Sequence, residues 1–262
     1  MPDRAAQILT LDGPDALAFA HAQLSSDVRS LAEGQWQWSG WLDAQGRVKV
    51  LAMVARTGPQ TLTLLLRGGK AADFADGLKR FLFRSKVTLR ANDRHVIADA
   101  PALSANTVIA DDENIVFGFG DYAIRIGSEH AKDTHAWHAH DIAHGHPWLA
   151  DEALDTLLAP ALSMERLHAV AFDKGCYPGQ EIVARLHYRG GHKRHLHRVE
   201  SSQALHAGST INISNRGVGI VLSCVHIDGV TQALAVLDDA LTTNGRLEFD
   251  GGQLHILETF AA

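Results

Sequence analysis

Lys174-Gly175-Cys176-Tyr177-Pro178-Gly179-Gln180-Glu181, continued by Ile182-Val183-Ala184-Arg185, is the stretch from which this chain is best read. It holds one of the protein's two cysteines, with a lysine two residues before it and glycines on either side. Pro178 suits the first turn of a helix, where a missing amide donor is not felt. Ile182, Val183 and Leu186 then recur at helical spacing, and Gly190-Gly191 ends the run. The pattern predicts a helix with Cys176 at or just before its N-terminus. There the positive end of the helix dipole and the Lys174 ammonium would both favour a thiolate. Taken alone, such a cysteine keeps three roles open: a nucleophile or redox thiol, a transient iron or cluster ligand, or a small residue packed at a helix start.

Cys224, the other cysteine, falls in an apolar strand and reads as an inert core thiol. Two cysteines are too few for a disulfide framework, and a reducing, cytoplasmic setting is expected. The 262 residues, 46% of them hydrophobic, suffice for a sizeable core in one large domain or two to three small ones. No apolar run approaches the roughly 20 residues that span a bilayer, and the opening residues MPDRAAQILTLDG hold no apolar signal core. No membrane role is expected. A net charge of −6 argues against a general nucleic-acid binder and against direct contact with tRNA. Yet from Ile182 to Val199 there is no acidic residue, while Arg185, Arg189, Lys193, Arg194 and Arg198 give that strip a formal charge of +5. The strip reads either as a solvated strand–turn segment or as the partner of a specific anion.

Around these motifs the chain mixes strands with a few helices, the pattern of an α+β sheet layer. Asp12-Gly13-Pro14 opens a predicted helix whose apolar face is Leu17, Ala20, Leu24 and Val28. Strands are predicted over 35–42 and 47–54, joined by a turn at Asp43 to Gly46, and again over 61–66. A helix follows over 70–83, then short strands over 87–89, 107–110, 115–119 and 122–126. The segment 128–165 reads as helical and loop-like, broken by Pro147 and Pro160. Beyond Gly191, short strands are punctuated by Asn215-Arg216-Gly217, Asp228-Gly229, Asn244-Gly245 and Asp250-Gly251-Gly252, which predicts a small all-β unit.

The octapeptide closely resembles the signature K-G-C-Y-x-G-Q-E of the YgfZ proteins, folate-binding relatives of the T-protein (aminomethyltransferase) of the glycine cleavage system. Other stretches resemble the same family in the same order. Phe19 to Val28 is similar to its helix F-L-x-x-Q-x-T-x-D-V, and Asp43-Ala44-Gln45-Gly46-Arg47-Val48 to its D-x-x-G-R hairpin. Asp141-Ile142 with Gly145-His146-Pro147 resembles D-I-x-x-G-x-P, and Arg185, Arg189-Gly190 and Lys193-Arg194 resemble its downstream basic pattern. The resemblance implies an α+β fold: T-protein-like folate-binding lobes over residues 1–195, the second roughly 47–127 as an insert, then a C-terminal β-barrel over 196–262. It implies tetrahydrofolate or a one-carbon derivative as cofactor. Cys176 and Lys174 would then be the reactive residues, with Tyr177, Gln180, Glu181, Arg185, Arg189 and Arg194 around the folate. It also implies a part in iron–sulfur cluster assembly or repair, with iron–sulfur client or assembly proteins as partners, and through iron–sulfur enzymes in tRNA modification. A pterin needs an apolar slot with a few oriented polar groups, and the carboxylates of a folate tail suit arginine forks.

The chain departs from the T-proteins where they carry acidic residues just after the hairpin, since Val50 and Leu51 stand there. Aminomethyl transfer by a tetrahydrofolate-dependent enzyme is therefore the alternative, not the first reading. The glutamate that T-proteins direct at the pterin falls near Ala143, and the relatives' P-Q-x-x-N reads Pro160-Ala161-Leu162-Ser163-Met164 here.

Other chemistry is less well supported by the sequence. A resident iron–sulfur cluster usually needs four thiolates. Cysteine-protease signatures are absent. Gly68-Gly69-Lys70 lacks the rest of a phosphate loop. Trp36, Trp38 and Trp41 read as core aromatics, with Trp36 or Trp38 able to wall a flat ligand. His135, His138, His140, His144 and His146 crowd one window, and His140 and His144 would share a helix face. With no carboxylate or cysteine at a familiar spacing, this reads as a solvated histidine-rich helix and no metal is expected.

Overall fold

The computed structural model describes residues 5–97, 100–129, 135–241 and 245–260. The side chain of His135 and the turn residue Asn244 lie outside the described set.

The strands β1 (Ala6–Asp12), β2 (Trp36–Leu42), β3 (Val48–Gly58), β4 (Thr61–Leu66), β5 (Thr88–Ile97), β6 (Val108–Ala110), β7 (Ile115–Gly118) and β8 (Ala123–Gly127) form one eight-stranded sheet in the order β2-β3-β4-β1-β5-β8-β7-β6. All the pairings are antiparallel. The near-continuous apolar runs of β3 and β4 follow from burial on both faces. Val48, Leu51, Met53 and Leu65 face one core. Val50, Ala52, Val54, Leu62, Leu64 and Leu66 face the other. The second core is closed by α1 (Ala16–Gln23) and α2 (Ala71–Leu82), the latter through Ala71, Phe74, Ala75 and Leu78 at helical spacing.

Two expectations need correction. The first helix stops at Gln23, because Leu24 turns extended and the following serines bond elsewhere in the fold. β1 was not expected, and the strand expected over 87–89 runs on to Ile97 as β5. β5 is largely exposed and charged, and its place between β1 and β8 comes from backbone pairing instead of apolar alternation. β1 and β2 share one sheet with the strands of 47–127.

The middle of the chain holds α3 (His135–Ala143), short helical turns at Asp151–Ala153 and Ala159–Leu162, and α4 (Gln180–Arg189). A six-stranded antiparallel sheet follows, made of β9 (Arg194–Ser201), β10 (Thr210–Ile213), β11 (Arg216–Ile227), β12 (Val230–Asp238), β13 (Arg246–Phe249) and β14 (Gly252–Phe260), in the order β10-β11-β12-β9-β14-β13. Ser214-Asn215 and Asp228-Gly229 all take positive φ, as the tight turns of β-hairpins require. The edges approach each other, where the Asp250 N–H donates to the Asn212 carbonyl at 2.8 Å and the Asp250 carboxylate accepts from the N–H groups of Ser214 and Asn215. This sheet has a core of its own around Val199, Val221 and Leu254. Its other side, through Leu196, Leu222, Val236 and Phe260, joins the core that begins on β3. Phe260 is the keystone of that joint: its carbonyl accepts from the Ser163 hydroxyl, and its ring lies 4.7 Å from the Arg166 guanidinium.

Candidate functional site

The octapeptide lies against the β2–β3 turn, and two glycines make this possible. Gly179 has φ +79°, and a Cβ there would fall 2.5 Å from the Asp43 carbonyl oxygen and 3.0 Å from the Cα of Gly46. Gly46 has φ +76°, and a Cβ on it would press within 3.0 Å of Ile182. The hairpin turn is fixed from within, as the Asp43 carboxylate accepts from the N–H groups of Gln45 and Arg47 at 2.9 and 2.8 Å. Gly179 caps α4, so Pro178 precedes the helix rather than entering its first turn. The left-handed conformation that lets Gly179 touch the hairpin also delays the helix start. Cys176 therefore projects from the turn before the helix, and it is exposed.

Lys174 has a different environment from the one its sequence position suggests. Its Nζ donates to the carbonyls of His21, Leu24 and Ser26 at 2.5, 2.5 and 2.9 Å. These are acceptors left open where α1 ends. Burial pushes its pKa down to about 8, against the pull of Asp27. The same ammonium lies 5.0 Å from the ring centre of Tyr177. Three sequence motifs are thus gathered at one place: the end of the first helix, the hairpin and the octapeptide. Ser25 ties the first of them inward, donating to the Ala169 carbonyl at 2.6 Å and accepting from the Gly40 N–H at 2.8 Å.

The remaining predicted site residues divide. Tyr177 is buried, its hydroxyl has no hydrogen-bond partner among the described residues, and desolvation followed by Glu165 raises its pKa to about 12. Gln180 is half-buried at the start of α4. Glu181 is exposed in the first helical turn, where a carboxylate suits the dipole. Arg185 and Arg189 are exposed along α4. Arg194 does not join them: it opens β9 and lines a cavity of roughly 480 Å³ in the C-terminal sheet with Arg216, Ser214 and Asp238. Cys224 is half-buried, its thiol donates to the Leu205 carbonyl at 3.2 Å, and burial raises its pKa.

Sequence reasoning missed a second centre at the end of β4. Arg67 is fully buried. Its guanidinium pairs with Asp141 and donates to the carbonyls of Pro147 and His146 at 3.3 and 3.2 Å. It lies over the rings of Trp148 and Trp38, 4.4 and 5.4 Å from their centres. Its Nη1 is buried without a hydrogen-bond partner among the described residues. Asp141 also accepts from the Tyr122 hydroxyl at 3.0 Å. Desolvation alone would raise the Asp141 carboxyl, but Arg67 and His146 outweigh it and hold the pKa at about 2. The rings of Trp38, Phe119 and Tyr122 gather around His146, with Trp38 and Phe119 centred 5.5 and 5.2 Å from it. A lone arginine ending the run Thr61–Leu66 before Gly68-Gly69 was the signal for this centre, because a charge has no place on a strand buried on both faces unless it is paired.

No family model matches the chain. Among curated proteins it is 29% identical over 287 residues to "tRNA-modifying protein YgfZ" of Edwardsiella ictaluri, covering 91% of this chain and 84% of that protein. It is 26% identical to the protein of the same name from Klebsiella pneumoniae, covering 95% of this chain and 88% of the relative. Among solved structures, the glycine cleavage system aminomethyltransferase T of Bartonella henselae superposes with a TM-score of 0.70 at 17% identity, over 96% of this chain and 82% of that one. Over most of its length the chain is similar to proteins named YgfZ, and it has the fold of the T-protein.

Proposed function

We propose that this chain is a folate-binding accessory protein of iron–sulfur enzymes, acting through them on tRNA modification, with Cys176 as its reactive group. The observation that carries the reading is the exposed thiol of Cys176 on a turn clamped at both ends, by Lys174 to the end of α1 and by Gly179 to the β2–β3 hairpin. A thiol held in this way is accessible to a partner and does little packing. The relatives' shared name supports the tRNA connection.

The residues present suit a reduced folate. Trp38, Phe119 and His146 offer apolar ring faces. The Nη1 of Arg67 and the hydroxyl of Tyr177 are buried polar atoms lacking partners among the described residues, which is where a ligand's polar edge satisfies a fold. Gln180 at the head of α4 adds an amide, Glu181 an acceptor, and Arg185 and Arg189 exposed cations for tail carboxylates. When bound, reduced folate supplies a one-carbon carrier with a flat ring and an anionic tail. Leu51, where T-proteins have an acidic residue, is fully buried and apolar, and Val50 is buried beside it, so nothing there activates an aminomethyl group. The C-terminal sheet from residue 196, with its approaching edges, we read as the small β-barrel, and the two free cysteines suit a cytoplasmic setting.

The test is calorimetry with tetrahydrofolate and its polyglutamates, followed by complementation of a strain lacking its own YgfZ. Binding below about 100 μM, roughly −5.5 kcal/mol, is expected, with Arg185→Ala weakening polyglutamates more than the monoglutamate. Cys176→Ala should fold normally and fail to support an iron–sulfur-dependent tRNA-modifying enzyme. No binding at high micromolar ligand, or full complementation by Cys176→Ala, overturns the reading.

A further inference from the structure

One group of ligating side chains stands beside the Arg67–Asp141 centre, across the Tyr122 ring from it. His140 lies in the last turn of α3, and His144 stands just past its end, four residues on. Their rings are parallel within 9° and 3.9 Å apart. The tight turn between β7 and β8 brings Asp121 to them, its Oδ2 3.6 Å from the Nε2 of His140. One ligand atom from each of the three residues lies within 4.8 Å of the others.

We propose that Asp121, His140 and His144 bind a divalent transition-metal ion of the zinc class. Two imidazoles and one carboxylate are the usual protein ligands of an open zinc site, with the remaining position left to water or a substrate. Nitrogen donors favour zinc, cobalt, nickel or copper over magnesium and calcium. The surroundings orient His144 by a hydrogen bond and brace His140 by packing, the His140 Nδ1 being buried with no hydrogen-bond partner among the described residues. His144 Nδ1 is hydrogen-bonded to the His140 carbonyl at 2.9 Å, which makes it the protonated nitrogen and leaves Nε2 as the free donor. The ring of Tyr122 stacks on His140 at 3.3 Å, and its hydroxyl is anchored on Asp141. His140 is thus braced from behind by a residue of the same turn that carries Asp121.

Ligand atoms around zinc stand about 3.3 Å apart, given bonds of about 2.0 Å in a tetrahedron. Closing from 4.8 Å takes small rotations, and Asp121 and His144 are exposed and free to make them. A plain ion pair accounts for Asp121 and His140. It does not account for a second imidazole stacked on the first within ligating reach of the same carboxylate. The ion would tie the 119–122 turn to α3, and through Tyr122 to the Arg67–Asp141 pair, without touching Cys176.

The test uses the full chain, stripped with chelator and titrated with Zn²⁺, Co²⁺ and Mg²⁺. One equivalent of Zn²⁺ is expected to bind at low micromolar concentration, Mg²⁺ at least a hundredfold more weakly, and Co²⁺ with visible absorption bands of a nitrogen–oxygen set. His144→Ala and Asp121→Asn, both at exposed positions, should each weaken Zn²⁺ binding tenfold or more while melting like the parent protein. Cys176→Ser and His187→Ala should leave it unchanged. Failure to bind Zn²⁺ stoichiometrically, equal binding by His144→Ala, or loss of binding in Cys176→Ser would each overturn the assignment.

Discussion

Replacing Lys174 by methionine separates two roles that the octapeptide allows for this lysine. The ammonium donates to three carbonyls where α1 ends, at 2.5, 2.5 and 2.9 Å. A hydrogen bond to a charged group contributes about 1.5–3 kcal/mol net. The three are not additive, since the freed carbonyls regain some water. Relief of the burial that holds the lysine pKa at about 8 offsets a further part. A loss of about 2–4 kcal/mol results, or roughly 4–16 °C in Tm for a chain of this size. Methionine keeps the packing against Tyr177, so the loss reports on the ammonium. The thiol should behave differently. The Lys174 ammonium is committed to the end of α1, so alkylation of Cys176 well below the melting temperature should stay within about twofold of the parent. The assay pairs thermal melts with iodoacetamide kinetics. A variant of undiminished Tm whose Cys176 reacts tenfold more slowly would refute the clamp and restore the lysine as activator of the thiol.

Gly179→Ala should cost about 2–4 kcal/mol in urea denaturation, from the positive φ and the contact with the Asp43 carbonyl; a loss under 0.5 kcal/mol would show that hairpin and octapeptide do not meet as described. Asp141→Asn should cost about 3–5 kcal/mol at pH 7 by leaving Arg67 buried and unpaired. The Asp141 pKa, about 2 folded against 3.8 ordinarily, means this stabilisation is complete above about pH 4 and is lost as the pH falls towards 2; a difference between parent and variant that does not change from pH 5 to 2.5 would sink the pairing. Cys176, exposed, should alkylate at least tenfold faster at pH 7.5 than Cys224, which is half-buried with a raised pKa; mass spectrometry showing equal rates would refute the exposure of Cys176.

Much of the fold was legible because its strands are short and their turns carry glycine, asparagine or aspartate at positions of positive φ. The helix α2 announced itself through Phe74 and Leu78, and the hairpin through Asp43 and Gly46. β5 beyond residue 89 was not legible, since Arg90, Asn92, Asp93 and Arg94 give no apolar period and only its neighbours make it a strand. For the site, the octapeptide sets Cys176 and Lys174 side by side in sequence, but the fold gives their side chains different surroundings. Sequence proximity suggested that Lys174 serves the thiol, whereas its long side chain reaches residues some 150 positions earlier. Arg67 and Asp141 are separated by 74 residues, and Asp121 from His140 by a strand and a helix, so no local pattern joins them. Charges that meet only through tertiary structure leave no periodic trace.

The joint at Phe260 has a consequence for how the chain is made. Its carbonyl meets Ser163, 97 residues earlier, and its ring covers Arg166. During synthesis, the shared core between the first sheet, α3 and the C-terminal strands stays open until β14 has left the ribosome. Contacts of such long range form late, and until then the partial chain exposes the apolar side of its largest core, an invitation to chaperones and to aggregation. Nascent chains arrested before residue 252 should therefore remain protease-sensitive through residues 137–170, far from the missing segment, and become resistant together once β14 is free to pair with β9.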